Sequence, residues 1–264
     1  MPRLESCGIG IFNPILIMKR YGLIGFPLTH SFSQRYFTEK FAREGISDSR
    51  YDLFELPNIT ALPDLLKLPG LRGLNVTIPH KLVVLPYVDR LDASAEKIGA
   101  VNVIKFESDS SLTGYNSDYY GFRQSLTNWL NLLQRTPHEL QALVLGTGGA
   151  SKAVTVALAD LGIAYKFVSR TKTDNALTYD DLSAGLGDYH LIINGSPVGT
   201  YPHIDEAPAL PYHLLTHHHL LYDLVYNPIE TKFMQLGRER GAATHNGLRM
   251  LELQAEKAWE IWQG

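Results

Sequence analysis

Ala142-Leu-Val-Leu-Gly-Thr-Gly-Gly-Ala-Ser-Lys-Ala-Val-Thr-Val-Ala-Leu-Ala159 reads as a strand, a glycine turn and a helix in direct succession. That context gives the glycine pattern its meaning. Gly146 permits the tight turn, and Gly148 lets the backbone approach a pyrophosphate seated on the helix N-terminus. Free N–H groups and the helix dipole favour an anion there. Ser151 stands where the third small residue of G-x-G-x-x-G/A is expected, a departure that helix–strand packing should tolerate. The plain alternative is an ordinary βα turn, and the next strand decides against it.

That strand is Ala164-Tyr-Lys-Phe-Val168, followed by Ser169-Arg170-Thr171-Lys172. An NAD site places an acidic residue near this strand end to hold the ribose hydroxyls. Here Arg170 takes the position. A guanidinium can fork onto a 2′-phosphate and stack on adenine, so NADP is expected rather than NAD.

The composition sets outer limits. A chain of 264 residues holds one large or two medium domains. With 45% hydrophobic and 19% charged residues it reads as an ordinary globular protein, and a net charge of −3 suggests neither nucleic-acid nor membrane partners. A single cysteine, Cys7, excludes an internal disulfide framework and fits a reducing cytoplasm. Residues 1–17 carry two apolar runs interrupted by Pro14 and are expected to be an extension outside the core fold, which would begin near Met18.

Strands are expected over 20–25, 51–56 and 71–78, with helices over 33–44 and 62–68 and another opening at Pro79. A capped helix at 92–98 precedes a strand pair over 101–106 and 111–115. A long helix follows Asp118, read as its N-cap. After a linker over 134–139, strands near 142–145, 164–168, 190–193 and 219–224 alternate with helices, one of them over 229–240. A final helix covers 248–262. This alternation argues for mostly parallel α/β sheets. His217-His-His219 reads as a solvated approach to a strand.

Several polar residues are not explained by folding alone. In Thr29-His-Ser31-Phe-Ser33 one serine suffices to cap the following helix, which leaves the other for a ligand. In Asn75-Val-Thr77-Ile-Pro-His-Lys81, Thr77 and Lys81 flank a strand end. Asn102 lies inside an apolar strand, and Gln254 on an apolar helix stripe, where polar groups are functional or paired. Hydroxyls, amides, one ammonium and one carboxylate suit a small polyhydroxylated ligand. No cluster has metal-ligand spacing, so no metal is expected.

Nine segments in order and spacing over about residues 20–260 resemble the shikimate dehydrogenase family. They are Ser31-Phe-Ser33, Asn75 to Lys81, Ala100-Val-Asn102, Asn116-Ser-Asp118, Gly146 to Ser151, Ser169-Arg170-Thr171, Asn194-Gly-Ser-Pro-Val-Gly199, Asp223-Leu-Val-Tyr226-Asn-Pro228 and Gly247-Leu-Arg-Met250-Leu-Glu-Leu-Gln254. The resemblance implies a two-domain α/β protein. A mostly parallel substrate domain would cover 18–118, a Rossmann-like NADP-binding domain 119–242, and a C-terminal helical segment, 243–264, would return to the first domain. It implies reversible NADPH-dependent reduction of 3-dehydroshikimate to shikimate, in the cytoplasm, by a monomer or homodimer.

Carried over by motif, Lys81 and Asp118 resemble the catalytic pair. Ser31, Ser33, Thr77, Asn102, Tyr226 and Gln254 resemble the substrate contacts. Gly146, Gly148, Gly149, Ala150, Ser169, Arg170 and Thr171 resemble the cofactor contacts, with Gly247 near the nicotinamide. Three positions depart from the family pattern: Ser169, where Asn is frequent; Asn194-Gly-Ser, in place of a more usual Asn-Thr/Ala-Thr/Ser; and His80. Two alternatives remain. One is a dehydrogenase that also takes quinate. The other is a non-catalytic sensor on the same fold, which would have no need to keep both Lys81 and Asp118.

Overall fold

The computed structural model describes residues 18–28, 31–172 and 176–264. The expected N-terminal extension, and Thr29 and His30, lie outside these residues. The first half runs β1 (Lys19–Gly25), α1 (Phe32–Arg43), β2 (Ser49–Glu55), α2 (Leu62–Leu65), β3 (Leu71–Val76), β4 (Arg90–Leu91), α3 (Ala93–Ile98), β5 (Val103–Phe106) and β6 (Leu112–Tyr115). The second half runs α4 (Ser117–Leu132), β7 (Gln141–Leu145), α5 (Gly149–Asp160), β8 (Ala164–Ser169), β9 (Ala176–Thr178), α6 (Leu182–Gly185), β10 (Leu191–Asn194), β11 (Leu220–Asp223), α7 (Lys232–Arg238), β12 (Ala243–His245) and α8 (Leu248–Gln263).

Two six-stranded sheets result. The first has the order β2-β1-β3-β5-β6-β4, and only β3–β5 and β5–β6 pair antiparallel. Side chains alternate across it, as the pleat requires. Tyr21, Leu23, Tyr51 and Val103 pack with Phe37, Phe41 and Trp262 of α1 and α8 on one face. Ile24, Leu74 and Ile104 face Leu62, Val84 and Ala95 on the other. The indole of Trp262 donates to the Ile104 carbonyl at 3.0 Å, fastening the C-terminal helix to this sheet.

The second sheet has the order β12-β11-β10-β7-β8-β9, parallel throughout. The chain winds outward from β7 through β9, then returns to place β10 on the other side of β7. The crevice at that reversal, beyond the strand C-termini, is where doubly wound sheets bind ligands. Ala142, Val144, Leu191 and Ile193 pack on α4 and α5. Leu143, Leu145 and Ile192 pack toward Leu182 and Phe233.

Four expectations need correction. No α-helix opens at Pro79: turns lead into a short 3-10 segment, Leu85–Tyr87. Pro86 has no N–H for a helical bond and would crowd the preceding turn. Asp118 does not cap the long helix: Asn116 does, accepting from Tyr119 N at 3.2 Å. The helix expected over 229–240 contracts to Lys232–Arg238, because Thr231 takes the N-cap. His219 is buried, its Nδ1 accepting from Thr216 N at 3.0 Å, so the histidine tract is not solvated throughout.

Candidate active site between the two sheets

A cavity of about 270 Å³ is lined by Ser31, Ser33, Thr77, Lys81, Asn102, Asp118, Tyr226 and Gln254. All eight residues taken from the catalytic and substrate motifs therefore meet in one place. Asn75 and an apolar wall that includes Leu23, Leu28, Phe32 and Leu251 complete the lining.

Most of the polar groups stand at or just beyond the ends of elements, whereas Gln254 comes from the middle of α8. Ser31 is the N-cap of α1 and accepts from Gln34 N, while Ser33 sits in the first turn without that duty. Thr77 and Lys81 follow β3. His80 braces this turn from behind, with its Nε2 2.6 Å from the Leu56 carbonyl and its N–H on the Thr77 carbonyl. The Lys81 carbonyl accepts from Val101 N at 2.9 Å, which ties the turn to the chain entering β5.

Because Asn116 takes the cap, the Asp118 carboxylate is released from the α4 backbone. Its Oδ2 receives Lys81 Nζ at 2.5 Å. Both side chains are mostly buried, 18% and 12% exposed. The negative charge in the first helical turn also meets the positive end of the α4 dipole. A mostly buried ammonium with a single carboxylate partner keeps its remaining donors for a ligand.

The buried amides have partners of their own. Asn102 donates to Ser117 Oγ at 3.0 Å and accepts from Ser117 N at 2.6 Å. The Ser117 hydroxyl also donates to Gln254 Oε1 at 3.3 Å. Ser117 thus links two lining residues, although no motif reading singled it out. Asn75 accepts from the buried Tyr51 hydroxyl at 2.7 Å. Its signal in the sequence was an amide within an apolar strand, the same signal that marked Asn102.

The cofactor motif residues do not line this cavity. They lie at the C-terminal edge of the second sheet. Gly146 has φ +93°, a left-handed conformation that a side chain would strain. Gly148 is the N-cap of α5 with no side-chain cap, and the space where Gly148 and Gly149 would carry Cβ atoms is open. The first amides of α5, from Gly149 and Ala150, therefore have neither a side-chain cap nor a side chain in front of them, as a pyrophosphate seat requires.

Ser151 is fully buried, and its hydroxyl takes the space a Cβ at Gly195 would need, only 2.6 Å away. The departures at Ser151 and at Asn194-Gly-Ser are therefore one packing arrangement. Ser169 closes a turn by hydrogen bonds with Thr171, its hydroxyl committed to that backbone. Arg170 stands exposed at the tip of that turn, and no carboxylate pairs with it among the described residues. Gly247 is buried at the start of α8 because the Leu224 carbonyl lies 2.1 Å from where its Cβ would be.

These glycine-turn, arginine and cavity features fit a dinucleotide on the second sheet and a polar substrate against the first. They define a two-domain α/β dehydrogenase. Residues 23–104 match the model of the shikimate dehydrogenase substrate binding domain. The shikimate dehydrogenase (NADP(+)) of Clostridium beijerinckii is 40% identical over 258 residues, covering 93% of this chain and 92% of its own. A solved shikimate dehydrogenase in complex with NADP+ superposes with a TM-score of 0.82 at 34% identity, over 94% of this chain and 90% of that one. The Thermus thermophilus enzyme, solved with NADP(H) and shikimate, gives 0.81 at 30% identity over 94% of both chains. The chain belongs to the shikimate dehydrogenase family. Among the described residues no group of three His, Cys, Asp or Glu could hold a metal, and no helix is long and apolar enough to cross a membrane.

Proposed function

We propose that this chain, as an NADP-dependent oxidoreductase of its family, interconverts 3-dehydroshikimate and shikimate in the cavity between the sheets. The observation that carries this reading is the Lys81–Asp118 pair set among seven further polar residues in a single cavity.

The roles follow from chemistry. Reduction of a ketone leaves charge on its oxygen. Lys81 Nζ stabilises that charge and donates the proton. Asp118 keeps the ammonium aimed. In the reverse direction Lys81 takes the proton from the substrate hydroxyl. Ser31, Ser33, Thr77, Asn102, Tyr226 and Gln254 orient the ring and its carboxylate, and this positioning supplies much of the rate.

The glycine turn fits NADP in its open cradle and uncapped helix amides, and Arg170 fits a 2′-phosphate. When bound, NADPH supplies the hydride. Gly146, Gly148, Gly149 and Ala150 would hold the pyrophosphate. Arg170 and Thr171 would hold the adenosine end, with Ser169 shaping their turn, and Gly247 would lie near the nicotinamide. We assign the substrate domain to 18–118, the cofactor domain to 119–242 and the returning C-terminal segment to 243–264. We place the protein in the cytoplasm on the strength of its single cysteine.

The test is the loss of NADPH absorbance on addition of 3-dehydroshikimate. No consumption by folded protein would overturn the activity.

A further inference from the structure

Asp223, the last residue of β11, is fully buried and in contact with no cation among the described residues. Its Oδ1 accepts from Val225 N at 3.0 Å and from Asn194 Nδ2 at 2.9 Å. Its Oδ2 accepts from the Thr231 hydroxyl at 2.6 Å. A buried charge met only by neutral donors is costly, and nothing in the proposed chemistry uses it.

What the donors are attached to gives the carboxylate a task. Asn194 ends β10, and its Oδ1 accepts from the N–H and hydroxyl of Ser196. Ser196 lies against the glycine turn, 3.3 Å from where a Cβ on Gly146 would be. On the other side, the Val225 carbonyl accepts from Gly247 N at 3.1 Å. The next residue, Tyr226, lines the substrate cavity with its ring 6.0 Å from that of Phe32. Thr231 caps α7. One carboxylate therefore fastens both the loop that backs the cofactor turn and the arm that reaches into the substrate cavity.

We infer that Asp223 is a positioning residue that couples the glycine turn to Tyr226, so that the cofactor seat and the substrate cavity are held in one register. This rests on the proposed function only for the identity of the ligands. A carboxylate can accept from all three donors. A carboxamide has one oxygen and one NH2, so it leaves a donor facing a donor.

The experiment compares the full chain with Asp223→Asn, well below both melting temperatures, in shikimate kinetics and in direct NADP titration followed by protein fluorescence. Asp223→Asn should raise the shikimate KM and the NADP Kd, each about tenfold, the scale of a lost charge-assisted hydrogen bond, with kcat falling less. In a Tyr226→Phe background the same change should raise the shikimate KM by less than about threefold, since residues acting as a unit are not additive. If Asp223→Asn does not fold, Thr231→Val removes one donor and should move both constants the same way, by less. A lowered melting temperature with both constants unmoved, a rise in only one of them, or full additivity with Tyr226→Phe would overturn the inference. A wild-type chain inactive on shikimate would instead overturn the substrate, leaving the NADP titration to decide on Asp223.

Discussion

Lys81 Nζ and Asp118 Oδ2 meet at 2.5 Å although they belong to different elements, the turn after β3 and the first turn of α4. The contact depends on Asn116 taking the helix cap. If the pair is the proton-transfer machinery, Lys81→Ala should lower kcat by roughly a hundredfold or more while the shikimate KM changes little. Asp118→Asn should also lower kcat without unfolding the chain. Near-normal turnover in the Lys81 variant would remove it from the chemistry.

Arg170 stands where an NAD site carries an acid. Arg170→Ala should raise the KM for NADP by roughly ten- to a hundredfold, the range for a charged hydrogen-bonding group, and leave the KM for NAD nearly unchanged. Steady-state assays with both cofactors decide it. Equal losses would show that Arg170 does not read the phosphate.

Substrate choice is expected to turn on Ser33. Quinate adds a hydroxyl and a saturated carbon at the carboxylate end of the ring, the end that we propose Ser31 and Ser33 hold. Ser33 is free of the capping bond that Ser31 makes. With the smaller hydroxyl side chain at both positions, shikimate should be oxidised with NADP and quinate hardly at all, because an unpaired hydroxyl in a closed polar site is costly. Both acids assayed side by side would test this, and comparable kcat/KM values would leave Ser33 without that role.

Burial pushes the Asp223 carboxyl from 3.8 up to about 6, against the pull of its three donors. The folded state then holds that proton more tightly than the unfolded one. Stability from this group is full below about pH 4 and is lost as pH rises through about 6, a change of roughly 3 kcal/mol. Asp223→Asn has no such titration. The stability of wild type minus that of the variant should therefore fall by about this amount between about pH 4 and pH 7. Urea denaturation of both proteins across that range measures it, and a flat difference would mean that Asp223 ionises as freely as a solvated acid.

The glycine turn could be read from sequence because each of its requirements is local: a strand, residues without side chains, a helix. Arg170 was legible for the same reason. The Lys81–Asp118 pairing was legible only through the family resemblance, since by local pattern Asp118 read as the cap of its helix, a place that Asn116 takes. What selects Asn116 includes the bond from its Nδ2 to the distant Ala100 carbonyl at 2.9 Å. Strands β4, β9 and β12 have only two or three residues, too few to show a period. Ser117 looked like any first-turn serine until the fold brought it to Asn102 and Gln254. Asp223 came into view only as part of a motif, because its three donors come from separate turns.

Ser151 and Gly195 occupy one volume between them, and this constrains how the chain can change. A methyl group at 195 cannot enter while the 151 hydroxyl is seated, so Gly195→Ala alone should cost on the order of 1–3 kcal/mol by overpacking. Ser151→Gly removes the nearest atom and leaves the Leu145 carbonyl at 3.2 Å as the tightest neighbour, so the same methyl should cost less in that background. The more usual Ala at the position of Gly195 is thus reached at lower cost when the change begins in the helix. Two residues that look like independent oddities in a motif are, in effect, a single packing choice, and changing it costs less in one order than in the other.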